Sequence, residues 1–166
     1  GIQMGPLLDE PGGDRYEANV AQAAGAGEVL LAGERLGNWP RANFVTPALY
    51  HLEDRRNPLV QNELFSPIGL VERFASEEQA VHSANDTRYG LSASVFTSDE
   101  ARSKRMARAL KSGTVWINCH NRLFAEAETG GYKQSGLGRL HGLEGLSDFM
   151  ETKHVYSEFG RIPGAE

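Results

Sequence analysis

The 166-residue chain is predicted to be an α/β protein built on a mostly parallel βαβ sheet with flanking helices. Three observations carry that expectation. Between Ile68 and Asn118 the pattern runs strand, helix, strand, helix, strand, with the short connections of parallel strands joined by helical crossovers. The length is enough to bury a core without metal or disulfide staples. The composition is globular: 40% hydrophobic and 23% charged, with 19 glycines and 7 prolines, too few for a low-complexity chain.

The elements follow in order. The first eight residues carry no basic n-region and no apolar h-region, so no secretory signal is expected there. The Gly5-Pro6 turn reads as a point inside a longer protein. Asp14 is expected to cap a helix reaching about Ala24, with Val20 and Ala24 on one face and Gly25 and Gly27 as stop signals. Glu28 to Ala32 reads as a short strand, and Phe44 to Leu52 as an extended stretch interrupted by Pro47. Ile68 to Phe74 is strand-like. Ser76 followed by Gln79 forms a capping box for a helix to about Asn85. Ser92 to Thr97 is a second strand of this run, Asp99 to Lys111 a helix stopped by Gly113, and Thr114 to Asn118 a third strand. A Gly-rich loop runs on to Gly138, then a short helix around Leu143 to Phe149 and a final strand near His154 to Phe159. No internal repeat is present.

Composition removes several function classes. Apolar runs reach about four residues, as in Val29-Leu30-Leu31-Ala32, too short to span a bilayer. A single cysteine excludes an internal disulfide and a Cys-rich zinc site. The net charge of −5 opposes general nucleic-acid binding, which needs a basic surface. A cytoplasmic protein with no nucleic-acid or membrane partner is expected.

Motifs that invite a chemical reading mostly have a plainer one. Gly131 to Gly136 has Walker-like spacing, but Leu137 and Gly138 stand where Lys and Ser/Thr are needed. Gly136-Leu137-Gly138 begins a dinucleotide fingerprint, yet His141 takes the third glycine's place and no strand leads in. Arg102, Arg105, Arg108 and Lys111 share one side of a predicted helix and read as a solvated outer face. Cys119 and His120 are adjacent, but neighbours at a strand end point to opposite sides, so an inert, partly buried thiol is expected. His51, His82, His120, His141 and His154 lack ligand spacing, and no metal is assigned. Glu63 differs in kind. In Asn62-Glu63-Leu64-Phe65-Ser66-Pro67 a carboxylate and a ring stand two apart just before a strand, suited to accepting two sugar hydroxyls beside a packed aromatic.

At these residues the sequence resembles the NAD(P)-dependent aldehyde dehydrogenase superfamily. Asn62 to Pro67 is similar to the family's Glu-x-Phe-Gly-Pro signature. Ala84-Asn85-Asp86-Thr87-Arg88-Tyr89-Gly90-Leu91, Gly113-Thr114-Val115-Trp116-Ile117-Asn118 and Gly130-Gly131-Tyr132-Lys133-Gln134-Ser135-Gly136 agree in order and spacing, and Met4-Gly5-Pro6-Leu7 fits the segment before them. The last Gly-rich motif leans toward the betaine-aldehyde branch. The resemblance runs from Met4 to about Phe159 and corresponds to the last third of a family member.

What the resemblance implies is oxidation of an aldehyde to a carboxylic acid with NAD or NADP. A cysteine thiolate attacks the carbonyl, hydride leaves the thiohemiacetal, and a glutamate-activated water releases the acid. In the family that nucleophile and that base lie upstream of the matched segment. Cys119 aligns downstream of Glu63 and is therefore not assigned as catalytic, so no catalytic residue is assigned. By the resemblance, Glu63 binds the nicotinamide-side ribose, Phe65 walls the ribose and ring, and Asn121, Leu123 and Thr129 line the aldehyde funnel. Residues 1–150 are expected to be the C-terminal part of the catalytic domain, and residues 151–166 an oligomerisation strand and tail. Partners would then be a small aldehyde and a second copy or an upstream family segment. Two substitutions depart from the pattern: Ser66 replaces the usual glycine, and Thr129 an aromatic. A non-catalytic module acting in assembly stands as the alternative, and a stand-alone phosphate-binding domain as a third reading.

Overall fold

Asp9, not Asp14, starts the first helix in the computed structural model, which describes residues 4–37 and 43–160. Helix α1 spans Glu10–Ala26, and the Asp9 side chain accepts from the Gly12 amide at 2.8 Å. Pro11 sits in the first turn, where its missing N–H has no intrahelical acceptor to lose. Gly12 and Gly13 of this turn are both buried. The Arg35 guanidinium lies so close over Gly13 that a Cβ there would collide with it. Asp14, inside the helix, anchors that guanidinium: its carboxylate takes Arg35 Nη1 at 2.9 Å, beside Glu17 at 3.2 Å.

The chain divides into two compact units, Gly1–Arg88 and Tyr89–Glu166. In the first, β1 (Glu28–Leu31) pairs antiparallel with β2 (Ala48–His51), with a register shift between Val29 and Leu31. Strand β2 pairs in parallel with β3 (Ile68–Val71), Ala48 against Ile68 and His51 against Val71. Between them lies the short helix α2 (Pro58–Gln61), capped by Asn57 Oδ1 on the Leu59 amide. Ala48 and Tyr50 on one face of β2 meet Ala23 of α1, with Leu52 and Leu59, to form the core. Tyr16 is also buried, and its hydroxyl donates to the Thr46 carbonyl at 2.6 Å. Burial pushes the Tyr16 phenol above its usual range, a shift opposed by that hydrogen bond.

Helix α3 (Glu77–Asn85) carries the expected cap in a slightly altered form. Ser76 Oγ accepts from the Gln79 amide at 3.1 Å, and Gln79 Oε1 accepts from Ala75 rather than from the Ser76 amide. Arg55 reaches the far end of this helix, holding Asp86 at 2.9 Å, with Glu72 at 3.6 Å.

The second unit contains the predicted βαβ crossover. Strand β5 (Ser92–Val95) pairs in parallel with β6 (Thr114–Ile117) across α4 (Glu100–Ala109), whose cap is Asp99 Oδ1 on the Arg102 amide. A two-residue strand β4 (Tyr89–Gly90) pairs antiparallel with β7 (Tyr132–Lys133) inside the stretch expected to be loop. Gly113 lets the chain pass against the Gly130 carbonyl, which a Cβ would strike. Helix α5 covers Glu144–Ser147, shorter than expected.

Two expectations need correction. The parallel pairs are β2 with β3 and β5 with β6, not one run through the three predicted strands. Residues 151–159 form no strand: a strand needs a neighbour for its N–H and C=O groups, and these residues pair with none of the described ones. No helix among the described residues is long and apolar enough to cross a membrane.

Candidate functional site

Helix α2 ends at Asn62, whose backbone turns to an extended conformation and whose Oδ1 accepts from Arg88 Nη2 at 2.9 Å. The next three residues divide between core and surface. Leu64 packs against the core cluster, so Glu63 and Phe65 on either side of it face outward. Phe65 is 76% exposed and has φ 50°, a left-handed conformation uncommon for an aromatic residue. Ser66, which stands where the family signature has a glycine, is not itself in the left-handed region; the positive φ is at Phe65 before it. Ser66 carries a different cost, since its Oγ is buried with no hydrogen-bond partner among the described residues.

Glu63 and Phe65 open onto one cleft of about 420 Å³. Across it stand Arg15, Asn19 and Gln22 of α1. The Glu63 carboxylate makes no hydrogen bond and no ion pair among the described residues, so its acceptor capacity is uncommitted at the cleft. A free carboxylate beside a bare ring fits a vicinal diol next to a flat heterocycle. An acceptor and a flat apolar wall thus fit the nicotinamide-ribose part of a dinucleotide. The α1 wall was not identified from sequence. Its signal was available as spacing, because residues 15, 19 and 22 share one helix face.

Asn121, Leu123 and Thr129 lie in the other unit, in the segment after β6. Asn118 and Asn121 both have φ 54° and bracket a tight turn. The turn is fastened at its root by Thr97 and Asn118, which exchange two hydrogen bonds, and by Trp116 Nε1 donating to the Arg122 carbonyl at 2.7 Å. Asn121 is exposed and Leu123 half exposed. Thr129 is set in a bridge with Leu140, with amide-to-carbonyl bonds of 2.8 and 2.7 Å, and its hydroxyl lies 3.4 Å from His141 Nδ1. Glu128, next door, accepts from the Leu143 amide at 3.1 Å. Its own backbone N–H, then those of Glu144 and Leu143, hold its carboxyl below the usual carboxylate range.

Cys119 is half-buried, as expected. His120 does not serve it. Its Nδ1 lies 2.9 Å from Ser94 Oγ and its ring stands edge-on to Trp116 at 5.0 Å. Arg102, Arg105 and Arg108 are exposed on α4, in keeping with an outer face.

The parallel pairs with a helical crossover define an open-sheet α/β protein, with a free carboxylate and a bare ring at one cleft just before a strand. The aldehyde dehydrogenase family model matches residues 1–155, and the chain belongs to that family. Among curated proteins, it is 34% identical over 163 residues to betaine aldehyde dehydrogenase of Brucella anthropi, covering 96% of this chain and 34% of that protein. Among solved structures, it superposes with TM-score 0.87 on a double mutant of Staphylococcus aureus betaine aldehyde dehydrogenase in complex with NAD+. That pair is 33% identical, covering 99% of this chain and 34% of the other. An indole-3-acetaldehyde dehydrogenase with NAD+ gives TM-score 0.85 at 28% identity, covering 92% of this chain and 31% of the other. The chain spans about a third of the length of the curated relatives it matches. The lean toward the betaine-aldehyde branch agrees with these relatives.

Proposed function

We propose that this chain is the cofactor- and substrate-wall segment of an enzyme that oxidises an aldehyde to a carboxylic acid with NAD or NADP. The observation that carries the reading is the uncommitted Glu63 carboxylate beside the bare Phe65 ring in one cleft. Family membership and the NAD+ complexes of the relatives support it. The cofactor supplies a hydride acceptor when bound. Glu63 accepts the two hydroxyls of the nicotinamide-side ribose, and Phe65 packs beside ribose and ring, so the residues fix orientation rather than make or break bonds. Asn121, Leu123 and Thr129 line the aldehyde funnel, where the threonine hydroxyl gives a more polar wall than an aromatic would. Cys119 is not the nucleophile in this reading. A cytoplasmic location belongs to the same proposal, and fractionation of source cells tests it.

Glu63→Gln keeps the size of the side chain and removes its charge. The loss of charge-assisted hydrogen bonds, worth roughly 1.5–3 kcal/mol, should weaken NAD binding by about ten- to a hundredfold. Calorimetric titration reads this directly, and an unchanged affinity sinks the ribose role. A second reading, assembly without turnover, is favoured by the exposed Val155, Tyr156 and Phe159 in the unpaired segment after α5. NAD-dependent aldehyde oxidation by the purified chain, lost in Cys119→Ser, would overturn it and restore a nucleophilic Cys119.

A further inference from the structure

Neither the Glu63 carboxylate nor the exposed Phe65 ring is held by a contact of its own among the described residues, so neighbours must fix their place. The segment Asn62 to Pro67 is fastened downstream, where the Pro67 carbonyl accepts from the Ala48 amide at 3.0 Å. Leu64 fastens its middle by packing on the core. Its upstream end hangs on α2, a helix of four residues, too short to be stable by itself. The turn after α3 meets that end. The Gln61 side-chain amide donates to the Asp86 carbonyl at 3.0 Å and to the Arg55 carbonyl at 2.8 Å. Arg55 in turn holds the Asp86 carboxylate at 2.9 Å. Arg88, two residues on, donates to Asn62 Oδ1 at 2.9 Å, one residue before Glu63.

Asp86 and Arg88 belong to the motif Ala84 to Leu91, none of which lines the cleft. A guanidinium suits a tie of this kind, because its planar fork holds its donors in fixed directions. Asn62 takes it, and the Glu63 carboxylate next in the chain stays uncommitted. We propose that Arg88 is a positioning residue. Through Asn62, with Gln61 as the second tie, it holds Glu63 and Phe65 in the conformation that opens onto the cleft. It touches neither a ligand nor a reacting atom. The consequence for binding rests on the assignment of Glu63 and Phe65 to the nicotinamide-side ribose; the holding itself does not.

Backbone relaxation of the 166-residue chain, measured by NMR, reads the holding without any ligand. The Glu63 and Phe65 amides should be rigid in the native chain, with order parameters of about 0.85, and fall below about 0.6 in Arg88→Ala. Arg88→Lys, which keeps a donor on a long stem, should stay closer to the native value. The bond to Asn62 is exposed, so the fold persists in these variants, and circular dichroism checks it. Calorimetric titration with NAD then reads the consequence. Arg88→Ala should weaken NAD binding about two- to tenfold, the reach of one side-chain hydrogen bond. In a Glu63→Gln background the same change should weaken it no further, because residues that act through one contact are not additive. Equal effects of Arg88→Ala in both backgrounds would make Arg88 merely structural and overturn the proposal. Order parameters that stay native in Arg88→Ala overturn it too, and leave the ribose reading standing. A native chain that binds no NAD, or a Glu63→Gln chain that binds it equally well, overturns the ribose reading alone. Loosened Glu63 and Phe65 amides in Arg88→Ala would then still support the tie.

Discussion

Phe65 and Ser66 show how much of a site a sequence reveals at the scale of single residues. Residue types and spacing alone left Glu63 one surface carboxylate among many, and it was the resemblance of Asn62 to Pro67 to a family signature that singled out Glu63 and Phe65. Where the backbone strain falls could not be read the same way. The positive φ stands at Phe65, next to Leu64 packed on the core, and Ser66 after it has its hydroxyl sealed in. A buried hydroxyl without a partner costs about 1–3 kcal/mol, whereas a methyl in its place costs nothing of that kind. Ser66→Ala is therefore expected to stabilise the fold by about 1 kcal/mol, which in a chain of this size raises Tm by about 2–4 °C. A thermal melt measures it, and a lowered Tm would mean that the hydroxyl finds a partner in solution. Tyr16 gives a prediction in pH. Its folded pKa is raised by burial, so the stability it contributes is complete below its ordinary value of 10.0 and is lost as pH climbs from there toward the folded value. Denaturant unfolding above pH 10 should show the decline, and Tyr16→Phe should flatten it.

Helices were legible wherever a cap announced them. Ser76 and Asp99 sit where the sequence placed them because their side chains satisfy amides that no other group reaches. The start of α1 was placed at Asp14 instead of Asp9, and the stretch between them holds Pro11 in the first turn, Gly12 beside the capping Asp9 and Gly13 under the Arg35 guanidinium. Strands of two residues, such as β4 and β7, leave no periodic trace, since their pairing depends on distant chain. The same holds for the loop that carries Thr129. Its closure depends on Glu128, whose carboxylate accepts from the Leu143 amide and whose pKa is held below its ordinary value of 4.5. A carboxylate with a depressed folded pKa contributes stability above its unfolded value and loses it as pH falls through the folded one. The Leu143 amide should therefore exchange with solvent faster as pH drops below about 4.5, after correction for intrinsic rates. Glu128→Gln should exchange faster already at neutral pH and show no such step. Protection of Leu143 that is indifferent to pH would exclude the Glu128 contact as the latch.

At the scale of the molecule, the burial of apolar groups is uneven. Tyr16, Ala23, Ala48, Tyr50, Leu52 and Leu59 are all buried in Gly1–Arg88, while Val95 and Leu110 are the buried hydrophobics of Tyr89–Glu166 among the described residues. Removing the fully buried Leu52 side chain should thus cost about 2–5 kcal/mol, the range for an aliphatic side chain cut back to alanine in a packed core. Tyr89–Glu166 instead presents Leu137, Leu143, Phe149, Val155, Tyr156 and Phe159 to solvent, each more than three-quarters exposed. Apolar surface gains about 25 cal/mol for each Å² removed from water, so side chains of this size drive association unless something covers them. No hydrogen-bonded strand holds residues 151–159, which leaves their backbone groups as well as their side chains available to a second copy. The chain is therefore expected to self-associate, and replacing both Tyr156 and Phe159 by serine should shift the equilibrium toward monomer. Sedimentation velocity across a hundredfold range of concentration measures both effects. A native chain that stays monomeric throughout would remove the assembly role from this segment. A variant that associates as strongly as the native chain would move that role to the leucines and phenylalanine between Leu137 and Phe149.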